Sequence, residues 1–205
     1  MRSSDSVRGY PQNLARPRWV SVLCTYLPSM PRTLPLSRCS SGKPLQFRWF
    51  GYPPSPQGLD LQTATEKFLS VVTGSNRELN DYVVAMARAE FRHTLKIARS
   101  GQLSPSRHVK PIESANPPPL FEIRWQGVTV REMNQDGQLE DRRLLIRMYH
   151  SEPTNLPQFF IGHHIHEKLI SGDHSTWLLQ NEEIEIALGF YRSGLQGRWG
   201  IKLEN

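Results

Sequence analysis

The sequence predicts an α+β domain in which an N-terminal helical hairpin packs on a small antiparallel sheet and a C-terminal helix follows. Apolar residues recur at helical spacing between residues 61 and 98, alternate as in strands between residues 120 and 166, and return to helical spacing after Asn181. Composition changes near residue 58, which predicts a basic, Pro-rich, disordered arm over residues 1–58 and a folded domain over residues 59–205.

The arm is predicted from its composition. Residues 1–58 hold nine of the sixteen prolines, and eight basic residues against one acidic residue, Asp5. Without helical or strand periodicity, such a segment cannot bury enough apolar surface to offset the entropy cost of ordering. A translation start at Met30 is the alternative, in which part of this segment does not belong to the native protein.

Charge and cysteine content limit the function classes. The remaining residues carry 17 basic and 18 acidic side chains, so the net charge of +6 reflects the arm and does not make the folded part a polyanion binder. The two cysteines, Cys24 and Cys39, lack the spacing of a zinc site. They do not indicate a disulfide framework either, which favours a reducing cytoplasm. No apolar run reaches the roughly 18 residues of a membrane span, so no membrane partner is expected.

Two helices begin the predicted domain. The segment "LQTATEKFLSVV" has helical spacing and ends at "TGSN", and a longer helix then runs to Ser100 and Gly101. The apolar stripe of the second helix consists of Val84, Ala87, Phe91, Leu95 and Ala98. Because the break between the helices is short, we expect them to form an antiparallel hairpin.

Strands and a last helix follow. "LFEIRW" and "VTVREM" are predicted strands, and "NQDGQ" predicts a turn from the second of these into "LLIRMYH". "QFFIGHHIH" is the fourth strand candidate. The last helix is "QNEEIEIALGFYRSG", with Asn181 as its N-cap. Its predicted apolar face consists of Ile184, Ala187, Leu188 and Tyr191.

Four basic side chains line one side of the second helix next to its apolar stripe. They are Arg88, Arg92, Lys96 and Arg99. Such a row can neutralise successive phosphates of a nucleic acid, which makes these residues candidate nucleic-acid ligands. A solvated helix face with cations favourably placed near the helix C-terminus is the alternative interpretation.

Two arginines are embedded singly in apolar strands. Arg124 lies in "FEIRW" on the face of Glu122, and Arg147 lies in "LLIRMYH" on the face of Tyr149. If the two strands pair so that these arginines converge, they form an electropositive patch that can hold a phosphate through paired hydrogen bonds. A surface position or an ion pair is the alternative for each arginine.

Three histidines end the fourth predicted strand. Strand alternation points His164 and His166 to one face and His163 to the other. An imidazole titrates near neutral pH, so His163 or His166 could act as a general acid or base. Imidazoles on one face can also bind zinc, and the metal-protein alternative combines His164 and His166 with His150.

The motifs "LFEIRW", "LLIRMYHSE", "FIGHHIHEK" and "QNEEIEIALGFYRSG", in this order after two helices, resemble the RelE/ParE superfamily of toxin–antitoxin toxins, in particular its HigB-like and phage-derived branch. The resemblance covers residues 61–194. By position, Arg124 and Arg147 are similar to the arginines of the first and second strand motifs of the family. His163 is similar to the histidine of the third motif, and Lys168 to its last lysine.

The resemblance implies a ribosome-dependent endoribonuclease that cleaves mRNA by attack of a 2′-hydroxyl on the neighbouring phosphate. Arg124 and Arg147 would stabilise the pentavalent phosphate, His163 or His166 would transfer protons, and Lys168 would add positive charge. This chemistry requires neither a metal nor a cofactor. The expected partners are mRNA, the ribosome and a cognate antitoxin that covers the active face, all in the cytoplasm.

Two alternatives keep this fold without the ribonuclease chemistry. One is a non-catalytic member that binds a protein partner or a nucleic acid, in which the basic arm contributes to binding. The other is a ParE-like poison of a topoisomerase, which the histidines alone distinguish from the ribonuclease at the level of sequence.

Overall fold

The computed structural model describes residues 35–115, 120–134, 136–170 and 173–202, with the backbone alone for residues 173–177. Most of the predicted arm, up to residue 34 and including Cys24, lies outside these ranges. The Pro triplet of "NPPP" and Gln135 of the predicted turn lie outside them as well.

The described residues form a mixed α+β structure, as the sequence predicts. The helices are α1 (Asp60–Thr73), α2 (Asp81–Arg99) and α3 (Asp173–Gly194). The strands are β1 (Gln46–Trp49), β2 (Arg77–Glu78), β3 (Val109–Pro111), β4 (Leu120–Trp125), β5 (Thr129–Met133), β6 (Leu139–Arg143), β7 (Ile146–Ser151) and β8 (Phe159–Glu167). No helix in the described ranges has the length and hydropathy needed to cross a membrane.

The strands form two sheets instead of the one antiparallel sheet predicted. The larger sheet has the order β1-β8-β7-β4-β3, and the smaller has the order β2-β5-β6. Neighbouring strands pair antiparallel except β1 and β8, which are parallel. A parallel pair needs a long connection between its strands, and here most of the folded chain supplies it. Local sequence patterns do not reveal a pairing of this kind.

The strand that follows the Asp-Gly turn is β6, which corrects the predicted hairpin. β5 pairs with β6 from Thr129 opposite Arg143 to Met133 opposite Leu139. β7 begins only after this hairpin and inserts between β4 and β8 in the larger sheet. The prediction missed β6 because its sequence, "LEDRR", is mostly exposed and charged and so lacks an apolar alternation.

Residues 35–58 belong to the fold, so the boundary predicted between residues 58 and 59 lies inside the folded unit. β1 pairs along its whole length with β8, and the Phe47 ring lies 5.1 Å from that of Phe160. The side chain of Trp49 is only 1% exposed. The free energy gained by this long-range burial offsets the entropy cost of ordering a Pro-rich segment that has no periodicity of its own.

α1 and α2 pack against each other and against one face of the larger sheet. The Phe68 ring of α1 lies 4.6 Å from the Phe91 ring of α2, which stacks at 5.2 Å on Trp125 of β4. The predicted stripe of α2 is buried at Ala87, Phe91, Leu95 and Ala98, and half-buried at Val84. The apolar spacing of α2 therefore predicts its buried side correctly.

α3 packs on the opposite face of the same sheet. Ile184, Ala187 and Leu188 are buried in a second apolar cluster with Leu120 of β4 and Tyr149 of β7. Tyr191 borders this cluster, so the predicted apolar face of the last helix is confirmed. The helix begins at Asp173, and Asn181 therefore lies inside α3 instead of capping it.

Candidate functional site

Arg124, Arg147 and His166 lie side by side across three neighbouring strands, on the sheet face that α3 partly covers. Arg124 of β4 is opposite Arg147 of β7, and Arg147 is opposite His166 of β8. Directly opposed side chains share a face, with Cβ atoms about 5 Å apart. The pairing of these strands therefore brings together three of the five predicted catalytic residues.

A second polar row runs beside the first on the same face. It consists of Lys110, Glu122, Tyr149 and His164, on β3, β4, β7 and β8. Each residue of this row in β4, β7 and β8 is two positions from a residue of the first row, so both rows point the same way. We call these two rows together the polar face.

Glu122 connects the basic side chains of the polar face. Its Oε1 accepts hydrogen bonds from Nε and Nη2 of Arg124, at 2.7 and 2.5 Å. Its Oε2 lies 3.7 Å from Nε of Arg147, and Nζ of Lys110 lies 3.8 Å from Oε1. One carboxylate thus serves three cations, which leaves this part of the polar face electropositive.

Arg147 is buried yet incompletely hydrogen-bonded. Its Nη1 donates to the carbonyl of Ile146 at 2.9 Å, whereas its Nε is buried and finds no hydrogen-bond partner among the described residues. Burial lowers the pKa of Arg147 and Glu122 opposes this shift, but a guanidinium remains charged at neutral pH. A buried cation with an unused donor is suited to an anionic ligand.

His166 presents a free basic nitrogen on the same face. Its Nδ1 lies 3.1 Å from the carbonyl oxygen of Glu167, which assigns the ring proton to Nδ1 and the lone pair to Nε2. In the described part of the chain, the buried Nε2 has no partner. Burial lowers the pKa of His166 to about 4, with Glu183 opposing the shift, so the ring is neutral at pH 7 and Nε2 can accept a proton.

The Tyr149 hydroxyl is a third buried polar atom that has no partner in the described ranges. The Tyr149 ring lies 4.9 Å from that of His166. Burial and the nearby charge of Glu122 raise the pKa of Tyr149, so the hydroxyl keeps its proton and can donate it in a hydrogen bond. Buried polar atoms are normally paired, so three unpaired ones in adjacent residues indicate a place for a polar ligand.

A small cleft beside His166 opens to solvent and has a volume of about 40 Å³. It is lined by His166, Glu167, Lys168, Leu169, Leu179, Gln180 and Glu183. Glu183 of α3 hydrogen-bonds with His164 at the edge of this cleft. Burial by itself would raise the pKa of Glu183, but the hydrogen bond from His164 and the nearby basic side chains together outweigh it, so the pKa is lowered and the carboxylate is ionised.

Lys168 lies in this cleft, directly after β8, and is half-buried. Its backbone N–H donates to the carbonyl of Leu145 at 2.7 Å. Burial lowers the pKa of its ammonium group; Glu122 opposes the shift, and Arg147 adds to it. Lys168 therefore lies within electrostatic range of the polar face, next to the other predicted catalytic residues.

His163 does not belong to the polar face, and its predicted orientation is wrong. The pairing of β7 with β8 shifts between Tyr149 and His150, and His163 is the bulged residue without a strand partner. The bulge turns His163 toward Tyr191 of α3, onto the side of the sheet where His164 also lies. Alternation alone predicts the opposite side because it assumes an unbroken ladder.

Both ring nitrogens of His163 are already hydrogen-bonded. Nδ1 lies 3.2 Å from the carbonyl oxygen of Phe50, and Nε2 lies 2.8 Å from the hydroxyl of Ser151. The ring is fully buried, and burial lowers the pKa of His163 to about 3. With a donor and an acceptor both satisfied, this histidine has the environment of a structural residue, in contrast to His166.

The basic row of α2 lies away from the polar face. Arg92, Lys96 and Arg99 are exposed, and Arg88 is half-buried. Phe91 of the same helix stacks on Trp125, whose side chain leaves β4 on the face opposite Arg124. The two groups of predicted site residues therefore lie on opposite sides of the sheet. Within the described ranges, none of the four cations takes part in a salt bridge.

The three histidines of the metal alternative do not converge. His164 and His166 are stacked with ring centroids 5.7 Å apart on the polar face. His150 instead packs between Phe121 and Phe160, in the core on the other side of the sheet. The structure therefore separates His150 from the other two histidines.

Sequence patterns did not identify several residues in or next to the polar face as site residues. Tyr149 was recognisable as a neighbour of Arg147 on one strand face, but its unpaired hydroxyl is a consequence of burial alone. Lys110 lies in a three-residue strand that has no visible periodicity. Glu183 reaches His164 only because α3 crosses this face.

Comparison of the chain with protein-family models, with curated proteins and with solved structures found no match.

Proposed function

We propose that this chain is a toxin-like endoribonuclease that cleaves mRNA at the polar face, by attack of a 2′-hydroxyl on the adjacent phosphate. The observation that carries the proposal is a cluster of three buried polar atoms that have no hydrogen-bond partner in the described ranges. They are Nε of Arg147, the hydroxyl of Tyr149 and Nε2 of His166. An RNA phosphate supplies acceptors for the first two atoms, and the ribose 2′-hydroxyl supplies a donor for the third.

The reaction needs a base, positive charge and an acid. Nε2 of His166 takes the proton of the 2′-hydroxyl, whose oxygen attacks phosphorus while the bond from phosphorus to the 5′-oxygen breaks. Arg147 and Arg124 stabilise the negative charge that develops on the phosphate oxygens. Lys168, whose pKa burial lowers, donates a proton to the departing 5′-oxygen. The products are a 2′,3′-cyclic phosphate and a free 5′-hydroxyl.

Substrate entry requires a local movement, because the three unpaired atoms are almost inaccessible to solvent. Leu179 and Glu183 of α3 line the cleft that leads to His166. A shift of this part of α3 would open the polar face to an RNA strand, and the hydrogen bond between His164 and Glu183 would break in the process.

The wider setting of the proposal follows from the resemblance to RelE/ParE toxins. The chain would act in the cytoplasm on mRNA bound to the ribosome, and a cognate antitoxin would cover the polar face. The two helices α1 and α2 would form the predicted N-terminal hairpin on the face opposite the active site. The exposed cations of α2, Arg92, Lys96 and Arg99, would then contact RNA outside the site of cleavage.

The test is RNA cleavage by the purified full chain, with and without ribosomes, together with growth after its induction in cells. We expect new RNA ends that carry 2′,3′-cyclic phosphate, and arrested growth. Replacing Arg147 by methionine keeps the side-chain volume but removes the charge, so the cleavage rate should fall at least 100-fold, as when an electrostatic donor is removed from an active site.

Arg131→Met is the matched control, because Arg131 is exposed in the smaller sheet, where it pairs with Glu78. This variant should cleave RNA and arrest growth like the parent. A folded Arg147→Met protein that cleaves RNA at the parental rate would overturn the proposal, as would a parent that releases no RNA ends under either condition.

The second candidate is a member of this fold that binds RNA or a protein partner without cleaving RNA. The observation that favours it is that Glu122 already engages Arg124 through two hydrogen bonds. This candidate predicts saturable binding with no new RNA ends. Trapped cleavage complexes of a topoisomerase on DNA would instead indicate the ParE-like alternative.

A further inference from the structure

Three side chains with metal-binding atoms converge in the core, away from the polar face. Cys39 lies in a short 3-10 turn, Arg38–Ser40, His150 lies in β7, and Glu152 follows that strand. The Cys39 Sγ lies 3.8 Å from Nε2 of His150, which lies 3.1 Å from Oε1 of Glu152. All three atoms fall within 4.8 Å of one another.

We propose that Cys39, His150 and Glu152 bind a zinc ion that joins the turn before β1 to the end of β7. Thiolate sulfur, imidazole nitrogen and carboxylate oxygen are the ligands that zinc prefers in proteins. Tetrahedral zinc with its usual bond lengths separates sulfur and nitrogen ligands by about 3.5 Å, and nitrogen and oxygen ligands by about 3.3 Å. The two corresponding distances here, 3.8 and 3.1 Å, need only small adjustments.

Proton counting also favours a cation at this position. Nε2 of His150 faces both the carboxylate and the sulfur, and it can donate at most one hydrogen. A divalent cation would offset the charge of a buried thiolate beside the carboxylate of Glu152, whose Oε2 already pairs with Nε of Arg38 at 3.4 Å.

The same arrangement excludes a catalytic relay of cysteine, histidine and acid. Such a relay uses one ring nitrogen for the nucleophile and the other for the acid. Here Nε2 of His150 contacts both Cys39 and Glu152, whereas its Nδ1 has no partner among the described residues. The cluster therefore suits metal binding better than nucleophilic catalysis.

Surrounding groups hold the proposed ligands in place. Oε2 of Glu152 accepts a hydrogen bond from the backbone N–H of Arg38 at 2.6 Å, and its Oε1 accepts one from the hydroxyl of Ser37 at 2.5 Å. The His150 ring is fixed by Phe121, stacked at 5.6 Å, and by Phe160, edge-on at 5.7 Å. These contacts orient the ligands as the outer shell of a metal site does.

Access and coordination number fit a structural site. Cys39 and His150 are fully buried, while Glu152 lines a small open cleft together with Ser151, Pro153, Thr154 and Tyr191. Three protein ligands leave a fourth position for the Ser37 hydroxyl or a water molecule. The function of the site would be stability, because it connects two segments that are far apart in sequence.

The test uses tag-free full-length protein that is stripped with a chelator and then titrated with zinc. We expect one equivalent to bind, and the midpoint of thermal unfolding to rise on zinc addition and fall again on chelation. X-ray absorption at the zinc edge of the unaltered protein should show a single sulfur ligand at about 2.3 Å, a result that requires no variant to fold.

Matched variants locate the site. Cys39→Ser should abolish zinc binding, whereas Cys24→Ser, which removes the other cysteine, and His166→Gln on the polar face should each retain one equivalent. Less than about a tenth of an equivalent bound to the parent would overturn the proposal. So would the absence of a sulfur ligand at the zinc edge, or binding that survives in Cys39→Ser.

Discussion

Arg124 and Arg147 face each other across the ladder of β4 and β7, and both approach the carboxylate of Glu122, at 2.5 Å for Nη2 of Arg124 and 3.7 Å for Nε of Arg147. Like charges directly opposite each other in a sheet are destabilising, and the carboxylate offsets this repulsion. Glu122 thus stabilises the arginine pair in the absence of a ligand, and it competes with any phosphate that binds there.

Replacing Glu122 by glutamine should therefore change RNA affinity and protein stability in opposite directions. Without the carboxylate the arginines are free to bind phosphate, so affinity for single-stranded RNA should rise. The logarithm of the binding constant should also fall more steeply with the logarithm of the salt concentration, by roughly 0.7 in the slope. The free energy of unfolding should fall by about 3 kcal/mol, because buried charges lose their partner. Fluorescence anisotropy at several salt concentrations and urea unfolding measure the two effects.

Glu185→Gln is the control for this substitution, since Glu185 is exposed on α3, where it pairs with Arg192. It should leave both quantities close to those of the parent. Weaker RNA binding by Glu122→Gln, with the fold retained, would contradict the role assigned to the arginine pair.

His166 should make stability depend on pH between about 4 and 6.5. Its pKa is about 4 in the folded protein, against an ordinary value of 6.5, so the unfolded chain binds the extra proton throughout this range. The unfolding free energy should therefore fall as the pH falls from 6.5 to 4. Arg147 and Tyr149 of β7, His164 of β8 and Glu183 of α3 are the polar groups around the ring.

Urea unfolding between pH 4.5 and 7.5 measures this dependence. His166→Gln should flatten the curve relative to the parent, whereas His93→Gln, at an exposed position on α2, should preserve its shape. Curves of equal slope for the parent and His166→Gln would show that His166 is not held neutral by burial.

The basic row of α2 should contribute affinity without taking part in chemistry. Replacing Arg92, Lys96 and Arg99 together by alanine should weaken RNA binding for all sequences. The slope of the logarithm of the binding constant against the logarithm of the salt concentration should decrease in magnitude by about 2. Cleavage at saturating RNA should stay at the parental rate, because the row lies across the sheet from Arg124. Anisotropy and single-turnover cleavage distinguish the two effects.

A charge-matched control removes three other exposed cations. These are Lys43, Arg131 and Lys202. If this control weakens RNA binding as strongly as the α2 variant does, total charge and not the α2 surface determines affinity.

Removal of residues 1–58 should prevent stable folding, whereas removal of residues 1–33 should not. The longer deletion removes β1 and exposes the edge of β8 to wrong pairing. It also removes the buried Trp49, and loss of one such side chain costs about 3–5 kcal/mol, against a total stability of about 5–15 kcal/mol. Near-ultraviolet circular dichroism and urea unfolding compare the two deletions with the full chain.

Trp49→Ala in the full chain is the matched single change, and it should lower the unfolding free energy within that range of 3–5 kcal/mol. Cooperative unfolding of the chain that begins at Leu59 would restore the predicted boundary at residue 58.

Local patterns predict best where the structure uses the same local preferences. α1 and α2 match their apolar spacing because each buries one stripe on a sheet that accepts a helix, and Asn80 caps α2 through its side chain. β6 and the first turns of α3 were not predicted from the sequence. β6 lacks the apolar alternation of a strand, and the first turns of α3 lack the apolar spacing of a helix.

The sequence by itself determined the α+β class, the buried sides of α2 and α3, and the strand faces that carry Arg124 and Arg147, because alternation and helical spacing are properties of neighbouring residues. Only the tertiary structure decided that the two arginines converge beside His166, that a bulge places His163 on the α3 side with both ring nitrogens hydrogen-bonded, and that Cys39 meets His150 and Glu152. Strand pairing and register join distant segments, and they depend on the burial gained by the whole fold.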